Sequence, residues 1–119
     1  MRQHERAHEL AVAALDVVET ADGYTIAVEL PGVDPSQVEI AFERNTLTLR
    51  GTKQPAMQPA DGAEYRVYTA ERVHGPFERA IRLPEYVDGD RIEARAAHGV
   101  LTITVPKSEA AKPRRIEIR

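Results

Sequence analysis

A chain of 119 residues with a net charge of −3 and no cysteine is long enough for one domain. It cannot form disulfides or thiolate metal sites, and it carries no charge excess that would draw it to nucleic acid or an anionic membrane. No apolar run reaches the roughly 20 residues that span a bilayer, and Met1-Arg2-Gln3-His4-Glu5-Arg6 leads into no signal-type apolar core. The expectation is a soluble, cytoplasmic protein. Tryptophan is absent and Phe42 and Phe77 are the two phenylalanines, so its core must be mainly aliphatic.

Residues 1–12 read as a short N-terminal arm. Ala7, Leu10, Ala11 and Ala14 fall at helical spacing, though a helix this short is marginal alone. His4-Glu5-Arg6-Ala7-His8 is a literal H-E-x-x-H, which on a helix sets two imidazoles one turn apart to grip Zn²⁺ beside a general base. The zinc-hydrolase context also needs a long buried helix, a third ligand and a cleft, and everything downstream reads as strand. The expected reading is a polar arm without metal, and no cofactor is expected elsewhere.

Leu15 to Glu19 is a short apolar run ended by the turn Ala21-Asp22-Gly23. Tyr24, Ile26, Val28 and Leu30 then alternate with Thr25, Ala27 and Glu29, the period of two that marks a half-buried strand. Pro31-Gly32 closes it, and Asp34-Pro35-Ser36 is loop. Val38, Ile40 and Phe42 alternate next, and Leu47 and Leu49 after them, with Asn45 suited to a hairpin turn between.

Thr52 to Ala63 changes character. Pro55, Pro59, Asp61 and Gly62 interrupt it without apolar periodicity, and so long an excursion from a compact domain is usually functional or disordered. Tyr65-Arg66-Val67-Tyr68-Thr69-Ala70-Glu71 beyond it has strand composition. Two readings stand: an ordinary arm folded back on its own sheet, or a strand that pairs with another chain. After the turn His74-Gly75-Pro76, Phe77, Ile81 and Leu83 share one phase, and Arg79 falls in that phase too. An arginine on an apolar face is costly unless paired; it sits either at a rim with its guanidinium in water or in an ion pair across a subunit contact.

Asp88-Gly89-Asp90 turns the chain into its clearest stretch. Ile92, Ala94 and Ala96 alternate with Arg91, Glu93 and Arg95, His98-Gly99 makes a turn, and Leu101, Ile103 and Val105 alternate with Thr102 and Thr104 up to Pro106. Residues 108–119 are a polar tail in which Ile116 and Ile118 face one way when extended. Seven or eight short strands with turn signals at intervals of about 8–12 residues argue an all-β fold, an antiparallel β-sandwich spanning residues 13–107.

These residues also carry a resemblance. Ala94-x-x-x-His98-Gly99-Val100-Leu101, followed by Pro106-Lys107, resembles the A-x-x-x-N-G-V-L…P-K signature of the small heat shock proteins (the Hsp20 or α-crystallin domain family), with histidine in place of the usual asparagine. Tyr24 to Gly32 is similar to that family's Y-x-I-x-x-x-L-P-G strand, and Leu47 to Gly51 to its L-x-I-x-G element. Glu71-Arg72, Gly75-x-Phe77-x-Arg79 and Leu83-Pro84 are similar to its E-R…G-x-F-x-R…L-P run, and Ile116-Glu117-Ile118 to its I-x-I tail.

The resemblance implies an immunoglobulin-like β-sandwich, an α-crystallin domain. It implies a homodimer formed by exchanging the strand Tyr65 to Arg72, which with the long loop before it spans 52–72, with Tyr65, Val67, Tyr68, Glu71, Arg72 and Arg79 at the contact. It implies larger oligomers built as Ile116 and Ile118 dock into a groove on a neighbouring dimer. The function it implies is an ATP-independent holdase whose partners are unfolding client proteins. The chain agrees in offering no phosphate-cradling loop and no cysteine nucleophile, and Ser36 and Ser108 lack a triad setting; no enzyme is expected. The alternatives are a β-sandwich adaptor or co-chaperone-like module without holdase activity, since a sandwich alone fixes no function, and a zinc hydrolase on His4, Glu5 and His8.

Overall fold

The alternation of Gly23–Glu29 and Val100–Pro106 sets these two segments side by side at the centre of a sheet. The computed structural model describes residues 3–57, 59–109 and 118. Their elements are helix α1 (Gln3–Val12) and strands β1 (Leu15–Glu19), β2 (Gly23–Glu29), β3 (Glu39–Glu43), β4 (Thr46–Lys53), β5 (Gly75–Arg82), β6 (Glu93–Ala97) and β7 (Val100–Pro106). The strands form a four-stranded sheet of order β1-β2-β7-β6 and a three-stranded sheet of order β3-β4-β5. All pairings are antiparallel.

Register follows from burial. Tyr24, Ile26 and Val28 of β2 lie opposite Val105, Ile103 and Leu101 of β7, and all six are buried against Leu47 and Leu49 of β4, Phe77 of β5, Leu83 and Val87. A slip of one residue would turn each set into solvent. The two tight hairpins have the turn chemistry that strand twist favours: Arg44 and Asn45 take φ of 51° and 60°, and His98 and Gly99 take 53° and 76°. Two successive positive φ values are the mark of a type I′ turn. Gly23 answers a different need, because a Cβ there would stand 2.3 Å from the carbonyl oxygen of Val105. The loop at Asp34 and the turn at Asp88 each wind into a single 3₁₀ turn, Pro35–Gln37 and Gly89–Arg91, with the aspartate side chain accepting from the backbone N–H two residues on.

Three departures from expectation have local causes. The expected arm of residues 1–12 is not separate from the domain at its end: Val12, 1% exposed, joins Ala13 in the core. The alternation of Ala94 and Ala96 does not bury them. They lie opposite Ile103 and Leu101, yet β6 is exposed throughout, since it is the sheet's outer strand. Among the described residues, 54–74 contain no strand. The Tyr65–Glu71 stretch has strand composition but makes no ladder with the sheets of its own chain, so nothing holds it in register.

Candidate functional site

The excursion rejects the first of its two readings: it does not fold back on its own sheet. Tyr65, Val67 and Tyr68 are 69%, 63% and 87% exposed, and Glu71 and Arg72 are exposed as well. Burying a large apolar side chain is worth about 1.5–3 kcal/mol, so three such residues in water form a surface suited to a partner. At the outer edge of the four-stranded sheet, β1 pairs only with β2 among the described residues. It exposes Val17 and Val18, on opposite faces.

Arg79, opposite Leu49 in the ladder, is neither a bare rim residue nor left with an empty donor. Its Nη1 donates to the carbonyl oxygen of Ala13 at 2.6 Å, at the C-terminal end of α1, where carbonyls lack intrahelical donors and cations are favoured. His8 is likewise engaged: its Nε2 lies 3.0 Å from the carbonyl oxygen of Pro76. A carbonyl can only accept, so Nε2 is the donor. No group of three or more metal-ligating side chains occurs among the described residues. The side chains of His4 and Glu5 lie outside what is described.

On the opposite flank an apolar cleft of about 280 Å³ opens between the approach to β3 and the β6–β7 hairpin. Leu30, Val33, Val38, Ala96, Val100 and Leu101 give it an aliphatic wall, and His98 and Gly99 form part of its lining. Three of the motif residues therefore serve the hairpin. Gly99 accepts from the N–H of Leu30 at 2.7 Å, Val100 faces the cleft, and Leu101 is core. Ala94 lies further along β6, outside the cleft. Val33 was not singled out from sequence, and Val38 was read as the first residue of the alternating run with Ile40 and Phe42; it precedes β3 and lines the cleft instead.

The root of the tail is anchored. Lys107 is nearly buried and its Nζ lies 2.7 Å from Glu19 Oε2, 5.8 Å from the ring centroids of both Tyr24 and Tyr86. The two hydroxyls hydrogen-bond at 2.9 Å. That bond, then burial, then the charge of Glu19 push the Tyr24 hydroxyl well above the ordinary phenol range. The hydrogen bond from Lys107 holds the Glu19 carboxyl below its ordinary value. The backbone adds Lys107 N–H to Asp22 and Ser108 N–H to Tyr86, at 2.8 and 2.5 Å. Beyond that root Ile118 is 98% exposed, and Ile116 lies outside the described residues. Among the described residues no helix is long and apolar enough to cross a membrane.

The sequence model of the Hsp20/alpha crystallin family matches residues 16–119. The chain is 36% identical over 104 residues to Small heat shock protein C2 of Rickettsia felis, covering 87% of this chain and 66% of that one. It is 37% identical over 107 residues to Spore protein SP21 of Stigmatella aurantiaca, covering 90% and 62%. The chain thus spans less than two thirds of these relatives' own lengths. Among solved structures it is similar to a small heat-shock protein from Xylella fastidiosa described as having a distinct high order structure, with a TM-score of 0.73 and 31% identity over 91% of this chain and 96% of that one.

Proposed function

The chain belongs to the Hsp20/alpha crystallin family, a family of non-enzymatic chaperones, and from that premise we propose that it holds unfolding client proteins in soluble complexes without ATP. The observation that carries this reading is the aliphatic cleft left open on a folded sandwich. Holding a client requires accessible apolar surface, because burial of apolar area drives the association; it requires no catalytic group. A cytoplasmic setting belongs to the same proposal.

The working unit in this reading is a dimer. The Tyr65–Arg72 stretch of one copy adds to the free edge of β1 in the other, where ladder hydrogen bonds satisfy an open strand edge. Exposed Val17 and Val18 on that edge, and exposed Tyr65, Val67 and Tyr68 on the incoming stretch, support the pairing, with Glu71 and Arg72 at its end. Ile116 and Ile118 then enter the cleft of a neighbouring dimer and join dimers into larger oligomers.

Light scattering of a heated model client, with and without this protein and with nucleotide omitted, tests the proposal. Suppressed scattering at near-stoichiometric ratios is the expected result. Unchanged scattering at a several-fold molar excess would refute the holding activity.

A further inference from the structure

Strand β5 ends its sheet. It pairs with β4 through Thr46–Lys53 and with no other strand among the described residues. Such an edge is a template for any extended chain that arrives, including the 64–72 stretch of another copy. Which groups it presents follows from its ladder. Leu83 donates to the carbonyl of Asn45 at 2.7 Å, so Leu83, Ile81, Arg79 and Phe77 turn their backbone groups toward β4. By the alternation of an antiparallel pair, Ala80, Glu78 and Pro76 turn theirs outward. Pro76 has no N–H to offer, and its carbonyl is the one His8 occupies.

We propose that α1 guards the β5 edge, so that an exchanged strand enters at β1 instead, and that His8 and Ala13 are its two points of attachment. The contacts define a path. His8 meets the chain at Pro76 and Ala13 meets it at Arg79. Five helical residues rise about 7.5 Å and three strand residues about 10 Å, so the last turns of the helix run alongside β5 between Pro76 and Arg79. Val12, at the end of this path, is sealed in the core. A helix of 10 residues is marginal by itself, so docking on β5 is what keeps it formed. The helix lies outside the residues matched to the family model, 16–119. The selection of β1 rests on the strand exchange proposed above, whereas the covering of β5 does not.

The experiment uses the full chain in three forms: unchanged, His8→Ala, and Ala7→Pro, which interrupts the helix at an exposed position. The first readout is amide exchange at Glu78 and Ala80. Both should exchange about tenfold faster in Ala7→Pro, with a smaller rise in His8→Ala, while the β4-bonded amides of Arg79 and Ile81 stay protected. Equal protection in all three forms overturns the guard. The chain has no native cysteine, so a short thiol crosslinker gives the second readout. It joins Val67→Cys of one copy to Val18→Cys on β1 or to Ala80→Cys on β5 of another. With α1 intact, links should form at β1; with Ala7→Pro, links at β5 should rise several-fold. Faster exchange with an unchanged crosslink pattern means that the helix covers the edge without selecting, and overturns that half of the proposal. Absence of β1 links in the unchanged protein rejects strand exchange at β1, and amide exchange still decides whether α1 covers β5. Should Ala7→Pro fail to fold, His8→Ala carries both readouts.

Discussion

The two flanks of this sandwich are built from similar aliphatic residues and finished in opposite ways. Where α1 meets β5, the chain seals itself: Val12 and Ala13 are buried, Arg79 satisfies the carbonyl of Ala13, and His8 takes that of Pro76. Where the approach to β3 meets the β6–β7 hairpin, nothing among the described residues closes the gap, and a cleft lined by Leu30, Val33, Val38 and Val100 stays open. The difference is one of sequence distance. The first flank is covered by residues that directly precede β1 and so cost little entropy to bring home; the second has only a tail that leaves from the far end of β7, whose closure costs more. A flank sealed by near neighbours serves stability. A flank left for a distant or foreign segment is available for binding.

That contrast can be broken most severely at Val12. Val12→Asp puts an unpaired carboxylate into the sealed flank and should cost at least about 3 kcal/mol, read as a lowered melting temperature. Val38→Asp, the matching change in the open flank, should stay within about 1 kcal/mol while abolishing binding of a tail peptide. Equal losses of stability would mean that the cleft is core after all. Next in size is Ile116→Ala combined with Ile118→Ala. Each isoleucine is worth about 1.5–3 kcal/mol when buried, much of it offset by ordering the tail, so the contact is strong only when several tails act together. The double variant should run as dimers in size-exclusion chromatography with an unchanged circular dichroism spectrum; elution as the same large species would leave the tail without a docking role.

Arg79→Ala sharpens the sealed side. It leaves the buried carbonyl of Ala13 without its donor, a loss of about 1.5–3 kcal/mol, and Arg79→Lys should recover part of it. A dimer that dissociates more readily at unchanged protomer stability would instead point to a role between subunits. The smallest effect lies at the tail root. Glu19 is held below its ordinary carboxylate value by Lys107. A depressed carboxylate contributes stability at neutral pH that is lost as pH falls through its folded value. Acid melts of the native chain should therefore show a small extra loss below pH 4.5, and Glu19→Gln should remove that increment. An identical acid slope in both would show that the pair contributes nothing.

Much of the sandwich was legible from residue order because its signals are local. Period-two runs at Tyr24–Val28 and Leu101–Val105 mark the centre of one sheet, and Asn45 and His98-Gly99 mark the hairpins. The excursion announced itself through Pro55, Pro59 and Gly62, and the solvent exposure of Tyr65 and Tyr68 follows from their having no partner at home. What sequence could not reveal depends on which distant segments meet. Lys107 reads as the lysine of a motif, but its partner Glu19 is 88 positions away in a different strand. Val33 and Val38 become a wall only when the β6–β7 hairpin is folded against them. Ala94 and Ala96 have the phase of core residues and fail to be core because, among the described residues, β6 has no neighbouring strand on its outer side. His8 reads as half of a metal motif until β5 brings Pro76 beside it.

The anchored root at Lys107 and Ser108 turns the tail into a tether of known length. From Ser108 to Ile116 there are eight residues, and a fully extended chain advances about 3.3–3.6 Å per residue. The first isoleucine can therefore lie no further than on the order of 30 Å from that fixed point. Any cleft it fills on a neighbouring dimer must open inside that radius. Assemblies whose dimers stand further apart are excluded by covalent geometry before any contact energy is considered, and a lengthened tail would admit spacings beyond the radius that this one forbids.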